Sequence, residues 1–247
     1  RRYGDAVSTH VQHQMLGTAD AVRSALPAFA SFEGAVIILS GDVPNLTAEV
    51  VAELVHVHAQ GKSPLTMLTA HDPTPNAYGR IDRDDAGRVT RIVEFKDASE
   101  AQRAITEVNI GTYLVDAAFL RDGLARIGTN NAAGEFYLTD LVEMAAAAGK
   151  PAQTVVAADI DALHGVNDRA QLSQAQAYAR RRRNDAIMKS GVTMLDPGST
   201  TVDSDVLVGQ DVVLEPGVYL TGESRIGAGA TIEAHCRLQD VEVAPGL

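Results

Sequence analysis

The sequence predicts an α/β domain that is followed by the first turns of a parallel β-helix. Strand-like and helix-like segments alternate over the first two thirds of the chain, which is typical of an α/β domain with a mainly parallel sheet. A long helical segment then covers residues 168–190. After Gly191 the apolar residues recur at a period of about six, which is the repeat of a hexapeptide β-helix.

The first strand and helix are bounded by glycine. Residues 35–39 form an apolar run between Gly34 and Gly41, which predicts a strand buried on both faces. Thr47 is placed to cap the helix that follows, and Gly61 is placed to end it.

The later segments of this domain continue the alternation. Two strand-like runs flank residues 84–87, an Asp-Asp-Ala-Gly turn, which predicts a hairpin. The predicted strands cover residues 65–70, 79–82, 88–94, 108–115 and 154–158, and the predicted helices cover 117–127 and 137–148.

The change of period divides the chain into three predicted parts. We expect a partial α/β domain over residues 1–167, a connecting helix over 168–191 and the first β-helix turns over 192–247. A coil of this kind needs several turns, since one turn cannot bury its apolar face alone. The chain starts without Met and the coil has only a few turns, so we expect a piece of a longer protein.

Composition excludes several functional classes. A formal net charge of −11 disfavours nucleic-acid binding, because such proteins need a basic surface against phosphate. The single cysteine, Cys236, excludes a disulfide framework and a cysteine-based zinc site. A reducing, cytoplasmic location fits this cysteine count. The sequence holds no apolar run of about 20 residues, the length of a membrane span.

Two short motifs lie where ligands commonly bind. Asp42 follows the first predicted strand, and α/β folds bind ligands beyond the carboxyl ends of strands. One carboxylate together with substrate phosphates can hold Mg²⁺, although a simple turn explains the same position. Gly17 and Thr18 precede a helical stretch, and helix N-termini favour phosphate or a base carbonyl. Many Gly-Thr pairs only start helices.

Five further motifs carry polar groups or glycine at the ends of predicted elements. Asn109-Ile110-Gly111 lies inside a strand, where a glycine can mark the close approach of a ligand. Taken singly, each motif is also explained as a turn, a solvated charge pair, a bulge or a helix cap. The five are YGR at 78–80, EFKDA at 94–98, NIG at 109–111, NAAGEFYLTD at 131–140 and GVNDR at 165–169.

In order, these motifs together with LGTA at 16–19 and GDVP at 41–44 resemble one family. It is the bacterial bifunctional N-acetylglucosamine-1-phosphate uridylyltransferase/glucosamine-1-phosphate acetyltransferase family. The spacing and the hexapeptide coil also fit, so the resemblance covers nearly the whole chain.

The resemblance implies a fold and two activities. The family joins a nucleotidyltransferase domain of Rossmann-like fold through a long helix to a left-handed parallel β-helix, and it forms a homotrimer. Its first domain transfers UMP from UTP to N-acetylglucosamine 1-phosphate, giving UDP-N-acetylglucosamine and pyrophosphate. Its second domain acetylates glucosamine 1-phosphate with acetyl-CoA. The product enters peptidoglycan and lipopolysaccharide synthesis.

The resemblance also assigns residues to the nucleotide and the metal. Gln12 and Gly17 match positions that read uracil, with Thr18 beside them. Asp42 and Asn167 match positions that hold the Mg²⁺ ion.

Sugar recognition is assigned in the same way. Gly79, Glu94 and Asn109 match positions that bind the N-acetylglucosamine moiety. Three further residues belong to a segment that lines the sugar side of the pocket. They are Glu135, Tyr137 and Thr139.

The sequence departs from the family at several positions and leaves two other functions open. The family's glycine-rich triphosphate loop has no counterpart here, so we expect this chain alone to be weakly active or inactive. Met15 stands where the family commonly has a second Gln, and Ile110 where it has Thr. The alternatives are another sugar-1-phosphate nucleotidyltransferase, such as a thymidylyltransferase, with an appended β-helix, or a non-catalytic assembly module.

Overall fold

The chain folds into two compact units. A computed structural model describes residues 7–74 and 76–247. The first unit contains the chain up to Gly41 together with Leu46–Leu163, and the second contains Asp42–Asn45 together with His164–Leu247. This division differs from the predicted boundaries at 167 and 191, because the long helix and four residues near Asp42 group with the coil.

In the described part of the first unit, six helices flank the strands. Thr47 caps the third helix as predicted, since its Oγ1 accepts a hydrogen bond from the Val50 N–H at 3.4 Å. That helix ends at Gln60, directly before Gly61. The helices are α1 Thr18–Ser24, α2 Leu26–Phe29, α3 Ala48–Gln60, α4 Glu100–Arg103, α5 Ala117–Arg126 and α6 Asp140–Ala147, and a 3₁₀ turn covers Ile160–Leu163.

The first unit contains one mixed six-stranded sheet. Its strands are β1 Ala35–Ile38, β2 Leu65–His71, β3 Arg80–Arg83, β4 Val89–Val93, β5 Glu107–Asp116 and β6 Gln153–Ala157. The order is β4-β3-β5-β2-β6, and β1 also pairs with β5. The predicted hairpin is confirmed as β3 and β4, which pair antiparallel.

The prediction of a mainly parallel sheet is wrong. Among the described strands of this sheet, only β2 and β6 pair parallel. The reason is the central ten-residue strand β5, which runs antiparallel to β1, β2 and β3. Most strand pairings in the sheet therefore involve β5 and are antiparallel. The alternation of strands and helices along the sequence does not show whether two strands pair parallel or antiparallel.

The core of the first unit lies on the faces of β2 and β5. Leu65, Met67 and Val115 are fully buried there, and they pack with Leu120 and Leu141 of the flanking helices.

The predicted burial of the first strand on both faces is wrong. Val36 and Ile38 are half-buried, whereas Ile37 is 36% exposed. β1 therefore buries one face, as its alternating pattern shows.

Strand β5 is bulged at Gly111. Met67 pairs with Tyr113 and Thr69 pairs with Asn109, so two residue steps on β2 oppose four on β5. Gly111 has a φ of 76°, which glycine adopts without strain. The bulge bends β5 between Asn109 and Tyr113 and changes the direction of their side chains.

The second unit is a helix followed by a β-helix. The helix α7 spans Arg169–Lys189, and Asp168 caps it by accepting a hydrogen bond from the Gln171 N–H at 2.8 Å. The strands are β7 Thr193–Met194, β8 Thr201–Val202, β9 Leu207–Val208, β10 Val213–Leu214, β11 Tyr219–Thr221, β12 Arg225–Ile226, β13 Thr231–Ile232, β14 Arg237–Gln239 and β15 Glu242–Val243.

These short strands stack into three parallel sheets, which confirms the predicted hexapeptide coil. Each sheet contains every third strand, in the orders β13-β10-β7, β14-β11-β8 and β15-β12-β9. Thr201, Tyr219 and Arg237 thus lie above one another on successive turns. Leu214 and Leu220 are completely buried between the sheets.

Helix α7 is held to the coil and to the segment near Asp42. The fully buried Asn184 donates from Nδ2 to the carbonyl oxygens of Pro197 at 2.8 Å and Thr200 at 2.9 Å. Asn45 donates from its side chain to the Ala175 carbonyl at 3.0 Å. These hydrogen bonds explain why the helix and residues 42–45 belong to the second unit. Neither α7 nor any other helix in the described part of the chain is long and apolar enough to cross a membrane.

The buried row of the coil should carry most of the stability of the second unit. Leu220→Ala should lower the free energy of unfolding by about 2–5 kcal/mol, because it leaves a cavity in a packed core. Leu172→Ala, at a leucine of α7 that is 44% exposed, should cost less than about 0.5 kcal/mol. Denaturant unfolding followed by circular dichroism measures both; equal losses would contradict the described core.

Candidate functional site

The first residues of α1 form hydrogen bonds with the segment before α6. The Ala19 N–H donates to the Phe136 carbonyl oxygen at 3.0 Å. Thr18 Oγ1 accepts a hydrogen bond from the Leu138 N–H at 3.0 Å. These contacts place Gly17 and Thr18 beside residues 135–138, although the two segments are far apart in sequence.

Gly17 is required at this crossing. Its φ is 113°, and a Cβ at this position would lie 2.5 Å from the Phe136 carbonyl oxygen and 2.8 Å from its nitrogen. Because both contacts are to backbone, a side chain could be accommodated only if the segments separated. Gln12 is held against the start of α1, because its Nε2 donates to the Gly17 carbonyl oxygen at 3.2 Å and to Asp20 Oδ2 at 2.9 Å.

Glu94 lies at the end of the hairpin strand β4, where three elements meet. Thr139 Oγ1 donates to Glu94 Oε1 at 3.1 Å. A Cβ on Gly79 would lie 3.5 Å from Glu94 Oε2 and 2.7 Å from Ile92 Cγ2. The Gly79 carbonyl oxygen accepts a hydrogen bond from the Asn109 N–H at 2.9 Å. The buried peptide of Gly79 therefore lies beside the Glu94 carboxylate, at a position where a side chain would collide with Ile92.

The pKa of Glu94 is raised by its surroundings. Burial is the largest cause, and the hydrogen bond from Thr139 opposes it. The negative charges of Asp97, Asp140 and Glu135 raise the pKa further. Burial, followed by the charges of Glu143 and Asp97, likewise raises the pKa of Asp140. The ionisation of two carboxyl groups at the site, those of Glu94 and Asp140, is therefore disfavoured.

Asp97 ties the loop over residues 131–137 to the hairpin. Its Oδ1 accepts a hydrogen bond from the Ala132 N–H at 2.8 Å, and its Oδ2 accepts one from the Tyr137 hydroxyl at 3.4 Å. Desolvation, followed by the charges of Asp97, Glu94 and Glu135, raises the pKa of Tyr137 to about 12. Tyr137 therefore keeps its proton and remains a hydrogen-bond donor at neutral pH.

The structure brings the nine predicted substrate residues into one continuous patch of the first unit. The patch runs from Gln12 and Gly17 through the segment over 135–139 to Glu94, and from there through Gly79 to Asn109. The residues that form it are Gln12, Gly17, Thr18, Gly79, Glu94, Asn109, Glu135, Tyr137 and Thr139. Their individual roles stay predictions.

The two predicted metal ligands belong to the second unit. The Asp42 carbonyl oxygen accepts a hydrogen bond from the Val166 N–H at 2.9 Å, which brings the segment that contains Asn167 alongside Asp42. The Asn167 N–H donates to Gln171 Oε1 at 2.7 Å. Within residues 7–74 and 76–247, the side-chain oxygens of Asp42 and Asn167 accept no hydrogen bond.

This donor set fits a hard cation that is bound mainly by other ligands. One carboxylate oxygen and one amide oxygen are donors that Mg²⁺ accepts, with phosphates and water completing its shell. The described part of the chain contains no group of three or more His, Cys, Asp or Glu side chains arranged for a metal ion.

Sequence reasoning missed two residues that organise the group around Glu94 and Asn109. Asp97 lies in one of the predicted motifs but was assigned no role at the site. Tyr113 was not singled out at all, yet its hydroxyl oxygen accepts a hydrogen bond from Asn109 Nδ2 at 2.7 Å. The available signal was Gly111 between them, because a glycine inside a strand often marks a bulge.

Comparison with known proteins gives matches along nearly the whole chain. Residues 2–162 match the nucleotidyl transferase family. The bifunctional protein GlmU of Corynebacterium jeikeium is 46% identical over 243 residues, covering 98% of this chain and 50% of the relative. The protein of the same name from Trichlorobacter lovleyi is 45% identical over 246 residues, covering 99% and 54%. That from Brevibacillus brevis is 43% identical over 246 residues, covering 100% and 53%. The chain spans about half the length of these relatives.

The raised pKa of Glu94 predicts a pH-dependent contribution to stability. A carboxyl whose pKa is higher in the folded than in the unfolded chain contributes stability that is fully present below the unfolded pKa and is lost as pH rises through the folded pKa. Glu94→Gln removes this loss, so it should raise the melting temperature more at about pH 7 than at about pH 4.

Thermal unfolding at the two pH values measures this difference. Glu53→Gln is the matched control, because Glu53 is an exposed residue of α3. An effect of Glu94→Gln that is the same at both pH values, or larger at about pH 4, would contradict the raised pKa.

Proposed function

Because the chain belongs to the nucleotidyl transferase family, we propose that it transfers UMP from UTP to N-acetylglucosamine 1-phosphate and forms UDP-N-acetylglucosamine and pyrophosphate. Its resemblance to the bifunctional GlmU proteins, predicted from the motifs, is confirmed over nearly all of its length. The observation that carries the proposal is the continuous patch from Gln12 to Asn109, which joins two polar groups of different chemistry.

The group around Glu94 has the chemistry expected for a neutral sugar. Thr139 occupies Oε1 of Glu94, so Oε2 can accept a hydrogen bond from a sugar hydroxyl. Gly79 presents its peptide without a side chain, and the Asn109 amide can bind an acetamide. Asp97, Glu135 and the other carboxylates repel phosphate. The sugar ring should therefore face this group, with its phosphate directed away from it.

The group around Gly17 has the chemistry expected for a base. The Nε2 of Gln12 is engaged by Gly17 and Asp20, which holds the amide in one orientation. Its Oε1 accepts no hydrogen bond from the described residues and can take the ring N–H of uracil.

Asp42 and Asn167 would hold a magnesium ion through one carboxylate and one amide oxygen. Bound Mg²⁺ supplies charge neutralisation at the phosphates. The phosphate oxygen of the sugar substrate is already a nucleophile, so the chain needs to supply no general base. The task of its own residues is to hold the sugar, the base and the phosphates in the orientation for in-line displacement.

The relatives' name, which says bifunctional, supports a second activity in the whole protein. We infer that acetyl-CoA acetylates glucosamine 1-phosphate at the β-helix and that the protein assembles as a homotrimer through that coil. We also infer that residues 1–247 alone transfer UMP weakly or not at all.

The test of the uridylyltransferase is pyrophosphate release by the protein expressed from its complete gene. A matrix of UTP and dTTP against N-acetylglucosamine 1-phosphate and glucose 1-phosphate, with Mg²⁺ present, separates the candidates. We expect the highest kcat/KM with UTP and N-acetylglucosamine 1-phosphate. A preference for dTTP and glucose 1-phosphate would support the thymidylyltransferase alternative instead.

The metal assignment has its own test. Asp42→Ala should lower kcat by at least about 100-fold, as expected when a group that stabilises transition-state charge is lost. Asp185→Ala, at an exposed aspartate of α7, is the matched control and should leave kcat unchanged. Circular dichroism checks that both variants fold. Near-normal activity of folded Asp42→Ala would contradict the assignment.

A further inference from the structure

We propose that Tyr113 is a positioning residue, which fixes the side-chain amide of Asn109 in the orientation that meets the substrate sugar. The proposal rests on the proposed function in one respect, that Asn109 contacts the sugar. It adds a buried group behind Asn109 that does not itself touch the substrate.

The bulge in β5 is what allows these two side chains to meet. In a regular strand, residues four apart share a face but lie about 13 Å apart, at roughly 3.3 Å per residue. The bulge at Gly111 bends the strand, and Asn109 Nδ2 lies 2.7 Å from the Tyr113 hydroxyl oxygen. Ser40 holds the bend, since its Oγ donates to the Gly111 carbonyl oxygen at 3.1 Å.

The hydrogen-bond partners of the Asn109 side chain determine which of its amide positions is oxygen and which is nitrogen. Oδ1 accepts a hydrogen bond from the Gly111 N–H at 3.1 Å. A flipped amide would present Nδ2 to that N–H, and two donors repel each other. Nδ2 must therefore face Tyr113, whose hydroxyl oxygen accepts one of its two hydrogens. The second hydrogen of Nδ2 and the second lone pair of Oδ1 remain for a ligand.

The Tyr113 hydroxyl is a fixed partner for the Asn109 amide because the tyrosine side chain is buried. Tyr113 is only 4% exposed, whereas Asn109 is half-buried. Desolvation raises the pKa of Tyr113 well above its usual range, and the charge of Glu94 raises it further. Tyr113 thus lies beneath Asn109 and close enough to Glu94 to sense its charge.

Removal of the Tyr113 hydroxyl should weaken binding of the sugar phosphate only through its effect on the Asn109 amide. Phenylalanine at position 113 keeps the ring in the core but frees Nδ2, so the amide can rotate away from its binding orientation. The KM for the sugar phosphate should rise by about 2- to 12-fold, the equivalent of one hydrogen bond of about 0.5–1.5 kcal/mol. The KM for UTP and kcat should stay within about two-fold.

The experiment is a double-mutant cycle with Tyr113→Phe and Asn109→Ala in the protein expressed from its complete gene. Tyr113→Phe should raise the KM for the sugar phosphate in the wild-type background and have no effect in the Asn109→Ala background. Tyr219→Phe, which removes a hydroxyl from the β-helix, is the matched control and should be silent. An equal effect of Tyr113→Phe in both backgrounds, or none in either, would overturn the proposal.

The cycle separates this proposal from the proposed function. If the wild-type protein prefers a sugar phosphate other than N-acetylglucosamine 1-phosphate, the proposed substrate is wrong, and the cycle is run with the preferred sugar. Coupling between positions 109 and 113 there would still support the positioning role. If the wild-type protein uses N-acetylglucosamine 1-phosphate and no coupling is found, only the positioning proposal fails.

Discussion

The bend of β5 at Gly111 is the feature on which the arrangement of Asn109 and Tyr113 depends. It occurs in the central strand of the sheet, where β1, β2 and β3 all pair with β5. Ser40 and Asn109 each make one hydrogen bond to the Gly111 backbone, so the bend is held from two sides. A straight β5 would separate Asn109 from Tyr113 and leave the buried hydroxyl without its amide partner. The same strand therefore organises the core and shapes the site.

A second constraint is the crossing of two backbone segments at Gly17. Hydrogen bonds between residues 18–19 and 136–138 bring Gly17 and Thr18 next to the segment that contacts Glu94 through Thr139. Because carboxylates crowd the Glu94 end, one side of the patch suits neutral polar groups and repels phosphate. Within the second unit, a backbone hydrogen bond joins the segments that contain Asp42 and Asn167.

Much of the local structure could be predicted from the sequence. Thr47 and Gly61 marked the limits of α3, and the six-residue period after Gly191 identified the coil, because these signals are local. The direction of strand pairing could not be predicted in the same way. It depends on which strands meet at the two edges of β5, and no residue of β1 or β2 encodes that choice alone. Tyr113 was missed for a related reason, since its contact with Asn109 exists only because the strand bends.

The most direct test of the account is a structure of the protein from its complete gene, bound to UDP-N-acetylglucosamine and Mg²⁺. We expect the sugar ring to lie against Gly79, Glu94 and Asn109, and the uracil to lie against Gln12 and Gly17. We also expect the Tyr113 hydroxyl to lie within hydrogen-bonding distance of the Asn109 amide. A sugar nucleotide bound away from this patch, or an Asn109 amide turned away from Tyr113 while it contacts the sugar, would contradict the account.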